Sequence, residues 1–189
     1  MMWEKAMEID AIWQPANQQR IFRALMEAMS RPGSLQDVHS WLGGAAAWRG
    51  VLATLLDGRT SLADCHDLLD RHDWPLLQAR AEQAATADYL LCQGRRPVTM
   101  KAKVGTLTCP DQSATVLVQV DTLGHGPDIL RLHGPGIKSS KVLQVCGLAP
   151  AWQCWREEHL SFPLGIDMIL VDQHALAAIP RTTRVEVVA

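Results

Sequence analysis

Apolar side chains recur at helical spacing over residues 17–30, where Ile21, Phe22, Leu25, Met26 and Met29 share one side of successive turns. Arg31-Pro32-Gly33 ends that segment, because proline cannot continue the hydrogen-bond ladder. Residues 45–56 are apolar on nearly every side apart from Arg49 and Thr54, which predicts a helix enclosed by other elements and lying against a sheet. The stretch 60–91 predicts a short strand around Leu62, a helix near Leu68 and Leu69, and a strand over 87–92. Residues 115–120 are rich in β-branched side chains, and with 129–133 they predict a hairpin closed through 121–128. Gly134-Pro135-Gly136 then permits a sharp turn. Over 148–160, Trp152, Trp155 and His159 stand at i, i+3 and i+7 of another amphipathic helix. The chain returns to strand at 166–171, 175–179 and 184–188. Helices early and hairpins late predict a layered α/β domain with a mixed sheet, one domain over 1–189 without internal repeats.

The run 166–171 is apolar at every position except Asp167, which fits a strand covered on both faces. A carboxylate in that setting needs a partner, since burying even a neutral polar group unpaired costs roughly 2–7 kcal/mol. Asp167 therefore either caps backbone at the strand entrance after Gly165 or pairs with Arg181 or Arg184, the nearest cations if the chain turns back.

Composition changes the picture mainly by exclusion. A formal net charge of -2 gives no general attraction for nucleic acid or anionic lipid, so neither is an expected partner. The first ten residues are broken by charges and lack the apolar stretch of a signal peptide, and no run reaches transmembrane length. The 5 cysteines form no CxxC pair and suit a reducing cytoplasm. The 7 histidines form no H-x-x-x-H or H-E-x-x-H pattern, so no metal site is expected. No G-x-S-x-G elbow is present, which leaves hydrolytic nucleophile chemistry without local support.

Two segments carry candidate binding chemistry. Gly134, Gly136, Lys138 and Lys141, with Ser139 and Ser140 between them, could present backbone N–H groups and cations to an anion, although P-loop spacing is absent. Arg181, Thr182, Thr183 and Arg184 place two guanidinium groups and two hydroxyls in a short span, chemistry suited to phosphate or carboxylate oxygens or to an acidic partner surface. Against these stand a solvated basic turn for the first and internal neutralisation of Asp167 for the second.

Residues 22–33 (FRALMEAMSRPG), 130–137 (LRLHGPGI), 162–167 (FPLGID) and 178–186 (AIPRTTRVE) closely resemble the PhnH family, the H subunits of bacterial carbon-phosphorus lyase systems. The resemblance implies a three-layer α/β/α fold similar to the large domain of pyridoxal-phosphate-dependent transferases, without the cofactor site. It also implies a homodimer when isolated, and companion subunits with which adenine of ATP is displaced and the ribose triphosphate joined to a phosphonate. It carries over no catalytic residue. None of the five lysines, Lys5, Lys101, Lys103, Lys138 and Lys141, stands in an [ST]-x-x-K setting, which argues independently against a Schiff base. The expected protein is a cytoplasmic accessory subunit of a transferase, without a cofactor. The alternative is a self-sufficient small enzyme acting on a phosphorylated metabolite.

Overall fold

A computed structural model describes residues 10–96 and 99–188. Residues 1–9, which include Lys5 and all but the last of the charge-broken N-terminal run, lie outside the described residues. The helices are α1 (Pro15–Ser30), α2 (Ala47–Leu55), α3 (Asp73–Leu77) and α4 (Ala151–Glu158). The strands are β1 (Gln36–Asp37), β2 (Ser61–Asp64), β3 (Arg80–Ala81), β4 (Tyr89–Gln93), β5 (Thr115–Gln119), β6 (Thr122–His133), β7 (Lys141–Cys146), β8 (Asp167–Val171), β9 (Ala175–Ile179) and β10 (Arg184–Val188).

Seven strands form a mixed sheet in the order β1-β9-β8-β5-β4-β2-β3, and β10-β6-β7 form a second, antiparallel sheet. Strands β3, β2, β4, β5 and β8 run parallel, while β9 is antiparallel to both β8 and β1. The apolar run of β8 has the physical cause inferred from its sequence. Met168 and Leu170 face one core, and Ile169 and Val171 face the other, so both sides are buried.

Those two cores correct the expected layering. One face of the large sheet is covered by helices, with Ile21 and Leu25 of α1 and Val51 and Leu52 of α2 packed on Leu117, Ile169 and Leu176. The other face is covered mainly by the small sheet, through Leu130, Leu132, Leu143 and Val145, with Trp152 and Trp155 of α4. The third layer is thus sheet plus one helix.

The hairpin expected from 115–120 and 129–133 does not form. β5 lies between β4 and β8, parallel to both, and β6 leaves for the small sheet to pair with β7 and β10. Val116, Leu117 and Val118 are buried on both faces, and such a strand belongs inside a large sheet. The helix expected near Leu68 and Leu69 is also absent. Those residues form a turn whose N–H groups donate to the Asp64 carboxylate at 3.0 and 2.8 Å, and the helix begins later, at Asp73. Among the described residues, no helix is long and apolar enough to cross a membrane.

Candidate functional site

The end of β9 and the start of β8 lie side by side, because Met168 pairs with Ile179 in antiparallel register. Arg181, two residues past Ile179, therefore folds back beside Asp167. Asp167 Oδ1 accepts from the Arg181 backbone N–H at 2.8 Å and from Nε at 3.3 Å, and Oδ2 accepts from Nη2 at 2.5 Å. Arg181 Nη1 donates to the Pro110 carbonyl at 2.5 Å. The side chains retain only 17% (Arg181) and 14% (Asp167) of their exposure, so this fork is nearly dry.

Beyond the pair, the chain turns at 180–183, Thr183 N–H donating to Pro180 O at 2.9 Å, and enters β10 at Arg184. Arg156 of α4 supports this turn from beneath. It is 2% exposed, and its Nη2 donates to Pro180 O at 2.9 Å and Thr183 O at 2.8 Å. Burial lowers its pKa to about 10 against the pull of Asp167 and Glu157, so it stays charged at neutral pH. Among the described residues no carboxylate lies within ion-pair distance of Arg156, and its Nε and the Thr183 hydroxyl find no hydrogen-bond partner.

Above this floor opens a cavity of about 440 Å³ lined by Arg156, Arg181, Thr182, Thr183 and Arg184. Glu157, Pro135, Leu160, Phe162 and Val185 complete much of its wall. Phe162 is 83% exposed at this wall. All four candidates of the 181–184 segment thus meet at one cavity.

The other candidate segment is placed differently. A Cβ on Gly134 would stand 2.9 Å from Thr182 O, so this glycine permits the β6 end to approach the 180–183 turn. Gly136, at φ +80°, would place a Cβ 2.2 Å from Ser30 O, so it fits the turn against the end of α1. Lys138 and Lys141 are exposed and do not line the cavity. The two candidate segments share a border at Gly134, Pro135 and Thr182, but the lysines add no charge to the cavity wall.

Sequence reasoning missed Arg156. An arginine in an amphipathic helix reads as solvated, yet it stands four residues after Trp152 and one after Trp155, on the same apolar face, and that spacing was the available signal. It also missed a histidine pair. His39 and His174, 135 positions apart, bring their Nδ1 atoms to 2.9 Å in a second open cavity of about 470 Å³ with Asp37 and Asp172. One ring donates and the other accepts. Asp37 and Asp172 are engaged in capping the N–H groups of His39 and of His174 and Ala175. No group of three or more metal-ligating side chains occurs among the described residues.

The family model described as bacterial phosphonate metabolism protein (PhnH) matches residues 11–186. The chain belongs to the PhnH family. HtxG of Stutzerimonas stutzeri, provisionally named a C-P lyase subunit, is 41% identical over 175 residues, covering 92% of this chain and 88% of HtxG. The PhnH subunit of alpha-D-ribose 1-methylphosphonate 5-triphosphate synthase from Rhizobium meliloti (strain 1021) is 29% identical over 180 residues, 89% of this chain and 90% of that protein. The PhnH match includes α1 and both candidate segments, so the 180–183 turn and its supports lie within the shared region.

Proposed function

We propose that this chain is a subunit of a carbon-phosphorus lyase core complex, needed with companion subunits to transfer ribose 5-triphosphate from ATP to a phosphonate. The family match over 11–186, joined by two relatives whose names place them in such systems, supports this reading. The carrying observation at the site is chemical. Among the described residues, the cavity wall offers guanidinium and hydroxyl groups with a single carboxylate, Glu157, and no histidine or cysteine, an arrangement suited to holding a charged group rather than to moving protons.

The same proposal takes residues 1–189 as one PhnH-like domain that works in the cytoplasm and self-associates when its companions are missing. Its likeness to the large domain of pyridoxal-phosphate transferases is supported by the seven-stranded mixed sheet and the helical cover on one face.

The test is co-purification of the tagged full chain from the native host, with light scattering and an assay of ATP plus methylphosphonate. Companion subunits in fixed ratio, with turnover confined to the assembly, are expected. Turnover by the isolated chain would replace this reading with that of a self-sufficient enzyme. Purification without companions from cells growing on a phosphonate would end it.

A further inference from the structure

Among the described residues, Arg156 is a buried cation without a carboxylate partner, and such a charge is costly unless something else compensates it. Asp167, whose charge draws on it, is already held by Arg181 through both oxygens. Arg184 lines the same cavity, is exposed, and among the described residues has no carboxylate within ion-pair distance. Glu157 opposes them, but it is exposed and accepts from Gln153 Nε2 at 2.6 Å. The wall therefore carries an excess of guanidinium charge, with the Thr182 hydroxyl exposed beside it.

Apart from Gln153, the rest of the wall is apolar. Phe162, with Leu160, Pro135 and Val185, lines a volume of about 440 Å³, within the roughly 300–1,000 Å³ range of small-molecule sites. An aromatic ring 83% exposed in the same lining as clustered guanidinium groups gives the cavity both polar and apolar wall. An inorganic anion would use only the first.

We propose that this cavity binds a small organic phosphonate or phosphate monoester. Its dianionic oxygens are taken by Arg184, Thr182 and the field of Arg156, and its organic substituent rests on Phe162 and Leu160. The ligand class rests on the phosphonate-handling reading above, whereas the binding test needs no companion subunit.

Calorimetric titration of the full chain with phenylphosphonate is expected to show one site per chain. Arg184→Ala should weaken it by about 10- to 100-fold, the loss of one charge-assisted contact of about 1.5–3 kcal/mol. Phe162→Ala should weaken phenylphosphonate by about 2- to 10-fold while leaving methylphosphonate unchanged, as expected for a lost aromatic contact. Both side chains are exposed, so an unchanged melting temperature certifies the fold of each variant. Arg156→Lys, which keeps charge but loses the fork, should also weaken binding, and Lys138→Ala should not.

Phenyl phosphate in place of phenylphosphonate distinguishes the two ligand sources, and tighter binding of either supports the site. Absence of binding at millimolar ligand overturns the proposal, as does binding indifferent to both Arg184→Ala and Phe162→Ala. Inorganic phosphate binding as tightly as phenylphosphonate also overturns it. If the site fails while companions still co-purify, the subunit reading stands without it.

Discussion

Removing the Asp167 carboxylate tests the framework on which the cavity rests. Asp167→Ala deletes the acceptor of three Arg181 donors and leaves that guanidinium, among the described residues, with only the Pro110 carbonyl. Breaking a buried pair by deleting one partner costs about 3–5 kcal/mol, and an exposed pair contributes about 0–1 kcal/mol. With side-chain exposures of 14% and 17%, the pair belongs near the buried limit, and about 3 kcal/mol is expected. For a chain of 189 residues that lowers the melting temperature by roughly 6–12 °C. Urea unfolding followed by tryptophan fluorescence reads the loss directly, with the denaturant slope unchanged if the unfolded state is unaffected. Asp167→Leu combined with Arg181→Met should recover most of the loss, because the stranded cation goes with its partner. A single-variant loss below about 1 kcal/mol would refute the reasoning and return the pair to the class of solvated surface contacts.

Two further outcomes follow from separate features. Gly136→Ala must move its backbone away from Ser30 O in addition to adopting a positive φ, so a loss on the order of 1–3 kcal/mol is expected, and a neutral melt would show that the 134–136 turn is not held against α1. Asp88 is held below the ordinary carboxylate range, since burial, which alone raises its pKa, is outweighed by bonds from Lys103 and Ser61. A depressed folded pKa means that its contribution is present above about pH 4 and is lost as pH falls through the folded value. Wild type and Asp88→Asn should therefore differ in melting temperature at pH 7 and converge below about pH 4, and a gap that stays constant to low pH would contradict the assignment.

The elements legible in the sequence are those whose burial is written in their own period. α1 and α4 show one apolar side, α2 is apolar on nearly every side, and β8 and β9 are apolar at successive positions because both faces are covered. Pairing partners are not written locally. β5 and β6 follow each other after a short turn and have strand-like composition, yet they enter different sheets, a choice made by the tertiary cover over Val116 and Val118. The two-residue strands β1 and β3 are too short to carry any period. At the site, the polar candidates 181–184 stood out because charge and hydroxyls crowd one segment. Arg156 and the His39–His174 contact depend on distances that only the fold creates.

The cavity does not occupy the usual ligand position of an open α/β sheet. Open parallel sheets bind ligands outside the carboxyl ends of their strands, where the strand order reverses. Here that point lies between β2 and β4, since the chain moves from β2 outward to β3 and then back across to β4. The chain itself fills it. Asp64, at the end of β2, gives both carboxylate oxygens to the Leu68 and Leu69 N–H groups, and His66 Nδ1 accepts from the Gln93 N–H at 3.0 Å. Beside it, Gly94 donates to Gln119 O at 2.7 Å and accepts from the Ala149 N–H and from Trp152 Nε1, closing the ends of β4 and β5 with backbone. The cationic cavity lies instead at the opposite end of the strands, where β8 begins and β9 ends, and its polar groups come from a turn, a helix and the start of β10 rather than from the carboxyl ends of the parallel strands. Under the proposed reading, a ligand held at this end of the sheet would meet its reacting groups on a companion subunit.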